Sequence, residues 1–258
     1  MEAPEHAYDG LALVVPVHNE LGEIGAWLRH IGLLLPGVTV VVADGGSVDG
    51  TTEAVRSLKE SPVIRVQDTP VASLDIHVVD APRGRGSQLR RGAMAALECS
   101  SPSHFLFLHV DTALNQSCAA ALRDAMGDPA FHWGWWDVRL DGPSLAERLI
   151  ERGISLRARF SGRPTGDQGL LVRRDTYLVS GGYEPIPLFE DVDLAARLRR
   201  EARGRRLDGE VVTSGRRYRR GGYWQTATNM WWLRVRWWLG ARPEKLSRRY
   251  HKGNPENS

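Results

Sequence analysis

The sequence predicts an α/β fold, a mostly parallel sheet with helices on both faces, extended at its C-terminal end by a basic, tryptophan-rich helix. Three observations carry that expectation. Residues 38–43 (VTVVVA) are a β-branched apolar run of strand length, the pattern of a strand buried on both faces. Similar runs alternate with stretches of helical periodicity, as strand–helix–strand units require. The runs stop at polar residues, Asn19/Glu20, Asp44, Arg83/Arg85 and His109/Asp111. Open α/β sheets bind their ligands beyond the carboxyl ends of the strands.

The elements follow in order. Residues 11–16 (LALVVP) read as the first strand, and 21–35 as a helix, with Ile24, Leu28, Ile31 and Leu35 at helical spacing. Pro36-Gly37 ends that helix. The strand at 38–43 leads through Asp44 and a glycine turn to a helix at about 49–59, which Ser47 or Asp49 can cap. A strand at 76–79, a helix at 87–97, a strand at 104–109 (HFLFLH) and a helix at 117–126 continue the alternation. Beyond them the pattern loosens. A strand is expected at 131–140, broken or bulged at Gly134, then a helix at 144–160 and a short strand at 170–173. A turn at 181–183 and a helix at 192–203 lead to a short strand at 211–213. Residues 223–239 form the tryptophan-rich helix, and the tail after Tyr250 reads as disordered. No internal repeat or clean linker appears, so the expectation is one domain over residues 1–220 with an extension over 221–258.

Composition narrows the function. The 258 residues are 42% hydrophobic, enough for a substantial core. Cys99 and Cys118 form no C-x-x-C pair and suit a reducing cytosol. Residues 1–10 are polar and acidic, unlike a signal peptide, and no apolar run has the length of a membrane span. The net charge of +3 is uneven, with 17 Lys/Arg against 5 Asp/Glu from residue 197 onward. That basic third implies an anionic partner: a nucleoside diphosphate, a membrane surface or a nucleic acid. A dehydrogenase or methyltransferase is disfavoured, because no G-x-G-x-x-G follows the first strand. A binding protein without catalysis, docking its basic tryptophan-rich end on nucleic acid or membrane, stands as the alternative from another class.

Four motifs together resemble the family-2 glycosyltransferases: PVHNE at 16–20, DGGSVDGT at 44–51, the strand end HVD at 109–111 and EDVD at 190–193. The segments APRGR (81–85), FLFLHVDT (105–112), GDQG (166–169), PLFED (187–191) and SGRRY (214–218) resemble a small soluble bacterial subfamily tied to arsenosugar biosynthesis. The resemblance implies a GT-A type, Rossmann-like sheet and an inverting transfer of sugar from a UDP- or GDP-sugar to an acceptor hydroxyl. It implies that Pro16, Asn19, Glu20, Asp44, Arg83 and Arg85 face the nucleotide. Asp111 would hold Mn²⁺ or Mg²⁺, with His109, which replaces the first Asp of the usual D-x-D, as a nitrogen ligand or a ribose contact. Asp191 matches the catalytic base, with Glu190 beside it. Asp167 and Gln168 would meet the transferred sugar or the acceptor, and Arg216 and Arg217 the leaving diphosphate. The acceptor is a small molecule or lipid-linked, and nucleic acid is not expected.

The helix around 229–240 (NMWWLRVRWWLG) is apolar on two sides. Trp231, Val235, Trp238 and Leu239 are expected to pack on the sheet domain. Leu233 and Trp237, flanked by Arg234 and Arg236, are then left for residues 243–250, a second subunit or an anionic membrane at the inner face.

Overall fold

The computed structural model describes residues 7–60, 64–66, 69–71 and 74–252. Strand β1 (Leu11–Val17) leads through α1 (Leu21–Leu34) to β2 (Thr39–Asp44). Helix α2 (Thr51–Glu60), the hairpin β3 (Ile64–Val66) and β4 (Thr69–Val71), β5 (Asp75–Asp80), α3 (Arg85–Cys99) and β6 (His104–Phe107) follow. Next come β7 (Thr112–Ala113), α4 (Gln116–Gly127), β8 (Trp133–Leu140) and α5 (Leu145–Ser161). A 3₁₀ turn (Gly166–Gln168) precedes β9 (Leu170–Arg173), α6 (Arg174–Val179) and α7 (Glu190–Glu201). The chain continues through β10 (Arg205–Thr213), α8 (Arg216–Gly221), α9 (Tyr223–Trp238) and α10 (Pro243–Lys252). The expected disordered tail lies, from residue 253 on, outside the described residues.

One eight-stranded sheet runs in the order β5-β2-β1-β6-β9-β8-β10-β7. Its first four strands are parallel, and the pairs Val17↔Asp44 and Asp44↔Asp80 place three strand ends at one edge. β9 runs antiparallel to β6, with Leu170 opposite Phe107. The start of β9 therefore lies at the same edge as the end of β6. The period-2 alternation of strands divides the core between the two faces. Leu11, Leu13, Val15 and Val17 of β1 pack with Ile24, Leu28 and Ile31 of α1 and Leu122 of α4. Ala12 and Val14 pack with Leu89 and Ala93 of α3, and the same layer takes in Ala158 of α5 and Leu194 of α7. Each fully buried Val, Leu or Ile contributes about 1.5–3 kcal/mol, so these faces hold the strand ends in place.

Several expectations change in the second half. Gly134 does not break β8: it pairs with both Leu171 and Arg205, and a Cβ there would lie 2.4 Å from the Arg205 carbonyl oxygen. The glycine lets β10 approach. β10 itself has nine residues rather than three: Arg206, Asp208 and Glu210 take its outer face, and Gly209 interrupts the apolar inner row of Leu207 and Val211. Its ladder shifts register between Arg206 and Glu210, around Gly209 at φ +99°. Helix α5 carries a capping box between Ser144 and Glu147 and ends on Gly162 in the left-handed region. Helices α6, α8 and α10 lie outside the expected elements, since RRYRRG and PEKLSRRYHK carry few apolar residues.

The tryptophan-rich helix α9 is turned opposite to expectation. Leu233 is fully buried, and it packs with Met230, Trp232 and Trp237 against Phe189, Val192, Leu246 and Tyr250. Trp231, Trp238 and Leu239, expected to face the core, are 65%, 72% and 74% exposed. The inward face is the one that meets both α7 and α10. A helical wheel does not reveal that second partner.

Candidate active site

The site is assembled at the carboxyl edge of the parallel strands. At its left end the turn after β2 is tied to the end of β1. The Asp44 carboxylate accepts the Gly46 N–H at 3.1 Å, the Ser47 N–H at 3.0 Å and the Ser47 hydroxyl. Asn19, at φ +56°, donates its backbone N–H to Ser47 Oγ, and its Oδ1 accepts the Val48 N–H. Pro16 is buried inside β1 opposite Ala43. Beneath the turn Gln88 of α3 donates to the carbonyls of Val17 and Ala43, clamping the two strands. The Glu20 carboxyl is pushed up to about 7, first by burial and then by Glu23 and Asp111. Arg216 lies at this end as well, exposed and paired with Glu23 at 3.2 Å. Arg83 is exposed on the loop before α3.

The centre holds opposite charges drawn from distant segments. Arg85 opens α3, His109 and Asp111 follow β6, Asp167 lies in the turn before β9, and Arg217 lies in α8. Desolvation opposes the Arg85 charge, but Glu190, Asp167 and Asp111 outweigh it and hold the guanidinium strongly protonated. His109 is driven well below its usual pKa by burial and then by Arg85, so its imidazole is neutral. Its ring sits on the turn backbone, where a Cβ at Gly166 would come 2.6 Å from Nε2. Asp111 is accessible to solvent, yet the cleft walls and then Asp167 raise its carboxyl. Arg217 stacks on Tyr250, 5.3 Å from the ring centre.

The third part surrounds Asp191. Its Oδ2 accepts the Gly166 N–H, and its Oδ1 accepts the Val192 N–H at 2.7 Å. Both it and Glu190 are aimed by Phe189, whose φ of +67° is costly for an aromatic residue. That residue is held because its ring is buried against Trp237, 5.7 Å between centres. Gly86 lets α3 meet the loop before α7: a Cβ there would lie 2.3 Å from the Glu184 carbonyl oxygen. Glu190 is 5% exposed, and burial, then Asp191, push it up to about 7. Asp193 turns away to pair with Arg197 at 2.7 Å.

Residues 12–179 match the family model "Glycosyl transferase family 2". The chain belongs to glycosyl transferase family 2. Among curated proteins no sequence matches it. A mannosyltransferase from Pyrobaculum calidifontis, solved in complex with GDP-Man and Mn²⁺, superposes at TM-score 0.60 with 21% identity over 91% of this chain. S. aureus TarS (residues 1–349) superposes at 0.53 with 15% identity over 80% of this chain, and its complex with UDP-GlcNAc at 0.52. The chain spans 63% of the length of the mannosyltransferase and 58% of the TarS chain. These likenesses show the fold.

The family match ends before Asp191, so the right-hand part of the site rests on the geometry. There the structure brings together Arg85, His109, Asp111, Asp167, Glu190, Asp191 and Arg217, and leaves some expected residues out. Gln168 is fully buried, donates to the Trp136 carbonyl at 3.0 Å and accepts the Thr165 N–H. Its amide is spent on the fold, which corrects the expectation that it meets sugar or acceptor. Of the twin arginines only Arg217 faces the centre. The sequence reading missed Arg157 of α5, Tyr218 and Tyr250, and placed Arg234 outward. All four lie in or beside the cluster's field. Arg157 is one of several arginines on its helix, and nothing local sets it apart.

Among the described residues no three His, Cys, Asp or Glu side chains converge as a cation site. A cation shared with a donor's diphosphate needs fewer protein ligands, because phosphate oxygens and water complete its shell. An accessible Asp111 carboxylate with a neutral His109 beside it suits that role. Next to this centre, between α8, α9 and α10, opens a cleft of about 550 Å³ lined by Arg217, Gln225, Asn229, Trp232, Arg249 and Tyr250.

Proposed function

We propose that this family-2 chain transfers a sugar from a nucleoside-diphosphate sugar to an acceptor hydroxyl with inversion, using Asp191 as general base. The observation that carries this reading is Asp191 itself. Its carboxylate is fixed by the Gly166 N–H at the edge of a cluster of cations and carboxylates. A carboxylate so held can accept the acceptor's hydroxyl proton as that oxygen attacks the anomeric carbon in line. Asp44, Asn19 and Glu20 face the nucleoside at the left end, although Asp44 already accepts three bonds from its own turn. Arg85 and Arg217 compensate the charge of the departing diphosphate. Asp111, with His109, would hold Mn²⁺ or Mg²⁺, which when bound neutralises the diphosphate oxygens. The related structures with GDP-Man and Mn²⁺ and with UDP-GlcNAc support a nucleotide sugar as donor class. The motifs at 81–85, 105–112 and 214–218 support the soluble arsenosugar-linked subfamily as the closer kin. Family membership favours this reading over a non-catalytic nucleic-acid binder.

The test is a melting-temperature screen of UDP, GDP and their sugars with Mn²⁺, followed by NMR of the product anomer. A rise with one nucleotide and an inverted anomer are expected. A retained anomer would overturn the base assignment.

A second contact is favoured by a surface observation. Among the described residues no helix is long and apolar enough to cross a membrane. Helices α5 and α9 nevertheless touch, and each exposes an apolar stripe: Leu145, Leu149, Leu156 and Phe160 on one, Trp224, Trp231 and Trp238 on the other. Arg152, Arg159 and Arg236 accompany them on the two helices. This surface suits the headgroup region of an anionic membrane, through the face opposite to the one expected.

A further inference from the structure

Two guanidinium groups that the proposed chemistry does not use meet near Asp191: Arg157 has Asp191 within its field, and Arg234 lies beside Arg157. Arg157 of α5 donates from Nη1 to the Arg163 carbonyl at 2.7 Å. That carbonyl opens the turn whose Gly166 N–H holds Asp191. The Arg157 Nε and Nη2 are buried and have no hydrogen-bond partner among the described residues, and the same holds for Nε of Arg163 and Nε of Arg234. Burial, and then the charge of Arg234, lower the Arg157 pKa to about 10. Asp191 and Asp167 lie within its field, yet neither bonds to its buried nitrogens.

This arrangement opposes folding. Each buried donor left unbonded is costly, and the neighbouring guanidinium ions of Arg157 and Arg234 repel each other. A ligand with two or more anionic oxygens would relieve both, because the planar fork matches carboxylate and phosphate. The donor diphosphate has other cations: Arg85 and Arg217 lie with Asp111 and His109, while Arg157 lies with Asp191, Asp167 and Tyr218. We propose that Arg157 and Arg234 form an oxyanion subsite that binds a carboxylate or phosphate on the acceptor, next to the hydroxyl that receives the sugar. The inference rests on the proposed transfer reaction, since a base at Asp191 is what makes its surroundings the acceptor's place.

The test uses the whole chain saturated with Mn²⁺ and the nucleoside diphosphate that stabilises it best, so that the donor's phosphate site is filled. Methyl phosphate, acetate and neutral glycerol are titrated by calorimetry, and vesicles of phosphatidylcholine with and without phosphatidic acid are added by co-sedimentation. One saturable site for methyl phosphate or acetate is expected, with none for glycerol. Its affinity should fall about tenfold or more in Arg157→Gln and in Arg234→Gln. Arg157→Lys, which keeps the charge without the fork, should fall in between and guards against a folding defect. Binding only to phosphatidic acid vesicles, lost in the same variants, assigns the subsite to a lipid headgroup. No anion binding above that of glycerol, or binding that both Gln variants leave intact, overturns the proposal. Failure of every nucleoside diphosphate to bind would instead count against the transfer reading, and the anion titration of the unliganded protein would still report on the arginines.

Discussion

The turn after β2 and the turn before β9 each present an aspartate at the same edge of the sheet, and they are built in different ways. Asp44 is satisfied within three residues, by Gly46 and Ser47, and the turn is tied to β1 through Asn19. Asp167 has its charge partners on α3, α8 and α9, and its neighbour Gly166 holds Asp191, 25 residues away. The first turn is a local structure that a short sequence specifies by its own hydrogen bonds. The second exists only after several helices have packed. Its charges remain partly unmatched, as the unbonded nitrogens of Arg157 show. On the proposed reading, the preformed end takes the nucleoside and the assembled end the acceptor.

The largest effect should come from breaking the assembled end. Asp191→Asn keeps the shape and the Gly166 bond but removes the base, and transfer should drop by roughly 10²–10⁴-fold. Nucleoside diphosphate should still raise the melting temperature, and a near wild-type rate would remove Asp191 from the mechanism.

Next is the pH response of Glu190. Its folded pKa of about 7 lies above the ordinary 4.5. The folded protein therefore holds a proton that the unfolded chain releases. The associated stability is fully present below about pH 4.5 and is lost as pH rises through about 7, with each tenfold difference in proton affinity worth about 1.4 kcal/mol. Glu190→Gln should flatten the melting temperature between about pH 4.5 and 7. An unchanged slope would place the titration elsewhere, Glu20 being the next candidate.

A smaller effect should follow Gly86→Ala. The new methyl meets backbone oxygens at residues 184 and 186, which cannot swing aside like a side chain. A loss of about 1–3 kcal/mol in chemical denaturation is expected, and activity should fall with it because the loop leads to Glu190 and Asp191. Ser47→Ala, at the preformed end, should cost about 1 kcal/mol and weaken nucleoside binding. If it cost more than Gly86→Ala, the contrast between the two ends would be reversed. Smallest is Trp231→Ala with Trp238→Ala. These exposed side chains should leave the stability within about 0.5 kcal/mol of wild type while reducing co-sedimentation with anionic vesicles at low salt. Equal sedimentation with neutral vesicles would argue against the membrane face.

The parallel half of the sheet, its helices and the polar strand ends can be read from local sequence patterns. The reason is that strand period, helix period and glycine turns are local: Val38–Asp44 need no distant partner to read as a strand ending in a carboxylate. The motif residues Asp44, His109, Asp111 and Asp191 were legible for the same reason, each closing or opening an element. Tertiary structure alone decided which side of α9 is buried, because the face that wins is the one that meets Phe189 and Tyr250 together. It alone separated Arg217 from Arg216 and Asp167 from Gln168, neighbours with one motif and opposite directions. It alone brought Arg157 to Asp191 and Arg234 to Arg157, since charges 34 and 77 residues away in the chain are invisible to any local pattern and become neighbours only when α5 and α9 pack together.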